Sequence, residues 1–197
     1  MVATAGEVRS DYQPRGVDTL EGLLFPSTYQ IGIKEGAREV VSKLVREFDR
    51  RIKGLDLNRA RELGLTPYEA IIVASMVEAE TFQDSERGKV ARVIYNRLEA
   101  GTPLGIDATV LYALGERKQE LTESDLAVDS PYNTRVVAGL PPTPIGAPGI
   151  ASIRAALNPA EGNWMYYVLS DCEGHHAFSV DYDDFLQDKA AYQNLEC

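Results

Sequence analysis

Apolar residues recur at Val40, Val41, Leu44, Val45, Phe48 and Ile52, with basic residues between them. That three-and-four spacing predicts an amphipathic helix over residues 37–52. A second helical turn fits 57–63, closed by Gly64. Thr66-Pro67-Tyr68-Glu69 has the form of a capping box with proline at the first helical position. The stretch that follows, 70–77, is apolar almost all round, and a helix with no polar face is normally buried. It ends in Glu78-Ala79-Glu80-Thr81, so two carboxylates stand at the end of a core helix. Val90, Val93, Ile94 and Leu98 give a stripe for a helix over 85–100, capped by Gly101.

A short helix is predicted at 108–114 and a brief turn from Thr122. Residues 129–149 are proline-rich and read as a long ordered loop. A helix over 149–157 stops at Asn158-Pro159. Strands at 164–169 and 177–180 flank a turn and make a hairpin. A helix over 182–194 closes the chain. The segment 20–31 reads as a strand interrupted at Pro26, which keeps it off the centre of a sheet. Residues 1–18 lack periodicity and read as a flexible linker or arm before a domain spanning 19–197. The sum is α+β: mainly helices, with a small antiparallel sheet from the first strand and the hairpin.

Composition narrows the function classes. A chain of 197 residues, 44% apolar and 25% charged, can bury a core of its own. Its formal charge of −10 opposes nucleic-acid binding and docking on anionic lipid, but not binding of an uncharged polymer. No apolar run is long enough to span a membrane, and no signal segment opens the chain. Cys172 and Cys197 are either unrelated thiols or a disulfide tying the C-terminus to the body, and an extracytoplasmic setting favours the bond. They do not make a metal site, and no cofactor motif is present.

Glu78 and Glu80 diverge by about 200° on a helix, so neither can pair with the other on one face. Ala74 and Ser75 behind Glu78 are small and leave room beside its carboxylate; Met76 and Val77 behind Glu80 are bulky. A carboxyl at the end of an apolar helix loses hydration, which raises its pKa and suits a general acid. Equally, both could be solvated at a fraying helix end. His175 and His176 point to opposite faces of their strand, so only one can reach a cleft. Tyr132-Asn133-Thr134 suits carbohydrate recognition or a plain turn. Asp107, with Thr109 nearby, is as readily a helix cap as a ligand contact.

Taken together, these blocks resemble the YceG-like family of endolytic murein transglycosylases. The resemblance runs from about Leu20 to about Phe185. It is carried in order by Glu21-Gly22-Leu23-Leu24-Phe25-Pro26, Ala74-Ser75-Met76-Val77-Glu78-Ala79-Glu80-Thr81, Ser85-Glu86-Arg87, Tyr95-Asn96-Arg97-Leu98, Asp107-Ala108-Thr109, Tyr132-Asn133-Thr134, Gly139-Leu140-Pro141-Pro142, Ala155-Ala156-Leu157-Asn158-Pro159 and His176-Ala177-Phe178-Ser179. It implies a lysozyme-like catalytic domain that cuts peptidoglycan glycan strands, with Glu78 as the catalytic acid. Glu80, Asp107, Thr109, Tyr132, Asn133 and His176 are then expected to line the cleft, with Glu80 held as an anion by Arg87 or by backbone donors.

The resemblance further implies one N-terminal membrane helix and a LysM-like region, both outside this chain, action outside the cytoplasmic membrane, and peptidoglycan synthases as partners. No cofactor or metal is implied. The chain departs from the family pattern at Gly105, Ala108, Arg135, Ala147 and Asp184. A hydrolytic muramidase, with Asp107 or Glu86 positioning water, and a non-catalytic glycan-binding domain are the competing readings.

Overall fold

The structure is a computed structural model that describes residues 8–116, 118 and 120–196. Its elements are α1 (Ala37–Ile52), α2 (Asn58–Glu62), α3 (Pro67–Glu80), α4 (Arg87–Glu99), α5 (Asp107–Leu114), α6 (Glu123–Leu126), α7 (Ile150–Leu157), β1 (Tyr166–Leu169), β2 (His176–Ser179) and α8 (Tyr182–Gln193). Every helix predicted from periodicity is present, and the fold is mainly helical with one small antiparallel sheet.

α3 is the axis of the molecule. Each residue from Ala70 to Val77 is buried, and α2, α4, α5 and α7 all pack on it. That enclosure is what an apolar helix without a polar face requires. Its start is fixed by the predicted capping box: Thr66 accepts from the Glu69 N–H, and the Glu69 carboxylate accepts from the Thr66 N–H. α1 turns Val45, Phe48 and Ile52 into the same core. α4 begins at Arg87, two residues later than expected. Glu86 stands at its N-cap position without capping, because its carboxylate is taken by His176.

Two expectations fail. The segment 20–31 forms no strand. Leu20, Leu23 and Phe25 enter the core as irregular chain, with the Phe25 N–H donating to Leu44 O at 3.3 Å. Among the described residues the sheet is therefore only the β1–β2 hairpin, in which Tyr167 faces Phe178 and Leu169 faces His176. Nor are residues 8–18 a free arm. The Ser10 hydroxyl donates to Asp49, Gln13 donates to Val17 O and Thr19 O, and Tyr12 packs edge-on against Phe48. Short-range polarity hid that segment, because its anchors lie on α1, far along the chain. Residues 1–7 lie outside the described residues.

Gly22 locks the proline-rich loop in place. Its φ of +78° suits glycine, and a Cβ there would meet the Pro144 ring at 2.4 Å. The loop thus crosses directly over residue 22 and arrives at α7. On the hairpin turn, Cys172 is disulfide-bonded; Cys197, the other half of the expected bridge, lies outside the described residues. No described helix is long and apolar enough to cross a membrane.

Removing the α3 cap tests the role of this helix. Thr66→Ala should destabilise the protein by ~1 kcal/mol. The check is a urea titration in which the midpoint falls while the slope stays constant.

Candidate active site

Glu78 leaves the last turn of α3 where the helix meets the start of α7. All three of its donors converge on one oxygen. The Ser152 hydroxyl reaches Oε2 at 2.6 Å, the Gly149 N–H at 3.0 Å, and Arg87 Nη1 at 3.4 Å. Gly149 is the N-cap of α7 and Ser152 lies in its first turn. The carboxylate therefore receives one unpaired N–H at the start of α7, a hydroxyl from its first turn and the positive end of the helix dipole. Arg87 also donates to the Ser152 hydroxyl at 2.6 Å and to Asp84 at 2.8 Å. Ser152 is thus a relay that accepts from the guanidinium and donates to Glu78. Among the described residues nothing hydrogen-bonds Oε1.

Beside this group lies an open cleft of about 840 Å³, lined by Glu78, Ala79, Phe82, Leu111, Tyr112 and Ile145 among others. The small residue behind Glu78 has a use beyond leaving space: the Ser75 hydroxyl accepts the Ile145 N–H at 3.1 Å and so fixes that wall of the cleft. Glu78 is not dehydrated by its helix as expected. Its side chain keeps 36% of its surface exposed.

The dehydration falls on Glu80 instead. Glu80 points toward the hairpin, where its Oε2 accepts from the Tyr167 hydroxyl at 2.7 Å. Burial pushes its carboxyl above the usual range, and the nearby Asp107 charge adds to this. The Tyr167 bond, the His176 ring and the Ala108 N–H pull the other way without winning. Burial also drives the Tyr167 phenol well up. Arg87, expected to hold Glu80 as an anion, reaches Glu78 and Asp84. That expectation is corrected by direction: about 200° of helix rotation sends the two carboxylates to different neighbours.

His176 takes the hairpin face of Tyr167 and Phe178, with its ring edge-on to Tyr167 at 5.5 Å. Its Nδ1 lies 2.8 Å from Glu86 Oε2, and its N–H donates to Glu86 Oε1 at 3.1 Å. The ring is nearly buried and braces the floor behind Glu80. Asp107 is the first residue of α5, after the cap position held by Ile106. It accepts from Arg135 at 2.6 Å, so one departure from the family pattern supplies the partner of an expected site residue.

Thr109 and Asn133 are fully buried, which corrects their expected place on the cleft surface. Thr109 bonds Ile106 O and Thr134, and Asn133 donates to Leu126 O and Val128 O. Both tie the long loop to α5 and α6. Tyr132 lies one layer back: its ring packs at 4.8 Å on Tyr112, a cleft residue, and its hydroxyl meets Thr143 at 2.8 Å.

Sequence reasoning missed Ser152, Gly149, Phe82 and Tyr112. Gly149 and Ser152 carried a signal, since a helix start beside a conspicuous glycine is an anion-binding end; what was invisible was that it faces Glu78. Among the described residues, ligand atoms of Asp171, Glu173 and His175 lie within 4.8 Å of one another and could hold a cation. This cluster sits on the hairpin turn, outside the cleft.

The profile of the YceG-like family matches residues 2–191, and the chain belongs to that family. A Bacillus subtilis (strain 168) protein named endolytic murein transglycosylase is 32% identical over 174 residues, covering 88% of this chain and 48% of that protein. A protein of the same name from Streptococcus pneumoniae (strain ATCC BAA-255 / R6) is 29% identical over 180 residues, covering 89% of this chain and 32% of that protein. A crystal structure of a yceG-like protein from Listeria monocytogenes superposes with a TM-score of 0.81 at 34% identity, over 88% of this chain and 57% of that one. The chain thus spans half or less of the length of these curated relatives.

The Glu80 environment has a thermodynamic consequence. A carboxyl with a raised folded-state pKa binds more protons folded than unfolded, so it lowers stability as pH rises through that range. Glu80→Gln removes the ionisation and can still accept from Tyr167. Its melting temperature should equal or exceed that of the wild type at neutral pH, and the gap should narrow as pH falls toward 4.5. Parallel melting curves at all pH values would contradict this.

Proposed function

We propose that this chain is the catalytic part of a lytic transglycosylase that cuts the bond between N-acetylmuramic acid and N-acetylglucosamine in peptidoglycan strands. The observation that carries this reading is Glu78, a carboxyl at the edge of an open cleft with Oε2 fixed by Ser152, Gly149 and Arg87 and Oε1 left for the proton. The family relationship and the names of the relatives support the same chemistry.

Protonated Glu78 gives its proton to the glycosidic oxygen as the C1–O bond breaks. The substrate's own N-acetyl group stabilises the charge that builds at C1. Glu78, now a carboxylate, takes the proton from the C6 hydroxyl. The C6 oxygen closes on C1, giving a 1,6-anhydro end and regenerating the acid. Donors fixed on Oε2 stabilise the carboxylate formed at mid-reaction without having to reorganise. The steps described need neither water nor a second carboxylate. Cleavage within strands, work outside the cytoplasmic membrane beside peptidoglycan synthases, and anchoring by an N-terminal helix beyond this chain belong to the same reading.

Hydrolysis is the second reading, because it needs a further carboxylate to position water. Of the residues expected to do so, Glu86 is engaged twice by His176 and Asp107 by Arg135. Glu116 is a third candidate, for it also lines the cleft, at 3.5 Å from Lys118.

Digestion of purified sacculi with mass analysis separates the two readings. Anhydro ends, lighter by one water, are expected, and hydrolysed ends would overturn the proposal. Glu78→Gln should lower cleavage by at least ~10²-fold while leaving the melting curve intact. Near-normal cleavage by that variant would show the wrong residue has been chosen. Ser152→Ala should cut the rate by roughly 10-fold, in line with the loss of one charge-assisted hydrogen bond. An unchanged rate would remove Ser152 from the catalytic group.

A further inference from the structure

Phe82 is four residues past Glu78 and lines the same cleft, yet the residue is 92% exposed. Among the described residues no aromatic ring or cation covers it. A large apolar side chain in water forgoes the stabilisation that burial would bring. A single exposed apolar residue needs no explanation by itself. Three features make Phe82 different.

The first is that the backbone around it is held. Thr81 ends α3 in an extended conformation, with φ −145° and ψ 137°, and is itself buried. Its hydroxyl accepts the Gln83 N–H at 3.0 Å. The Gln83 side chain then donates to Glu173 O on the hairpin turn at 2.9 Å. Phe82 is thus pinned on both sides while its ring stands free. The second feature is its company. Ala79, Leu111, Tyr112 and Ile145 give the cleft an apolar lining beside the Glu78 carboxylate. The third is a division of roles between the two aromatic cleft residues: Tyr112 is backed by the Tyr132 ring, and Phe82 has no backing.

A pyranose ring with equatorial substituents presents axial C–H groups on its faces. Those faces are apolar, and their hydrogens carry the slight positive charge that the face of an aromatic ring attracts. We propose that Phe82 is a sugar-binding platform: its ring stacks on a pyranose of the glycan strand lying next to the bond held at Glu78. This rests on the glycan-cleaving reading of the cleft. Phe82 supplies affinity and register along the strand, and Glu78 supplies the chemistry. Binding of this kind is made equally in ground and transition states, so it acts on KM and hardly on kcat.

High exposure makes the test clean, since replacing Phe82 removes few intramolecular contacts and should move the melting temperature by no more than about 1–2 degrees. The probe is peptide-free glycan strands, titrated against protein carrying Glu78→Gln so that nothing is cut. Adding Phe82→Ala should weaken binding roughly 3- to 10-fold. Phe82→Trp should restore it. In protein with Glu78 intact, Phe82→Ala should raise KM by a similar factor and leave kcat within about twofold.

Equal binding by the Ala variant, or a Trp variant as weak as Ala, would overturn the proposal and leave the ring to some other partner. Failure of the Glu78→Gln protein to bind strands at all would overturn it too. If the Phe82 effect on binding is found but sacculi yield no anhydro ends, the platform stands and the transglycosylase reading falls.

Discussion

The junction of two helix ends governs this structure. The C-terminal turn of α3 presents Glu78, and the N-terminus of α7 presents unpaired donors. Neither end is complete alone. A helix start without acceptors leaves N–H groups unpaired, and a carboxylate at a helix C-terminus faces the negative end of that helix's dipole. Brought together, they satisfy each other on Oε2. The burial of α3 on all sides sets where that junction falls, because a helix enclosed by α2, α4, α5 and α7 cannot shift without disturbing the whole core.

From one helix end the fold builds two carboxyl environments of opposite character. Glu78 meets a cation, a hydroxyl, a backbone N–H and solvent. Glu80, two residues on, meets a phenol in a dry layer backed by His176 and Glu86. Helix geometry alone makes the split, since the side chains leave in different directions and find different walls. Of the two, Glu78 is the one with an open cleft beside it. The other holds the hairpin against the body.

What could be read from the sequence follows the range of the interactions. Periodicity is a local property, so α1, α3, α4, α7 and the hairpin were legible within a residue or two. The α3 capping box was legible because both partners lie within four residues. The segment 20–31 misled because an apolar run promises burial, and burial does not require a ladder. Residues 8–18 misled for the converse reason: their anchor is Asp49, some 39 positions away. Glu78 could be chosen, but its environment could not, because Gly149 and Ser152 stand 71 and 74 positions along the chain. Thr109, on α5, and Asn133, in the long loop, were expected in the cleft because polar side chains invite that reading, and only packing shows that they fasten the loop itself.

The spread of those partners bears on how the protein comes into being. The hairpin and its flanks reach back to α3, α4 and the segment between them through Tyr167 to Glu80, His176 to Glu86, Gln83 to Glu173 and Arg97 to Met165. These contacts close loops of 68 to 90 residues, and such non-local closures form late and slowly. A chain emerging residue by residue would carry Glu78 from its first half but would lack both the α7 donors and the hairpin floor until its last quarter had arrived. The surroundings of Glu78 are therefore complete only once the segment 71 to 74 positions further on has been made and folded back onto α3, with the hairpin floor following it.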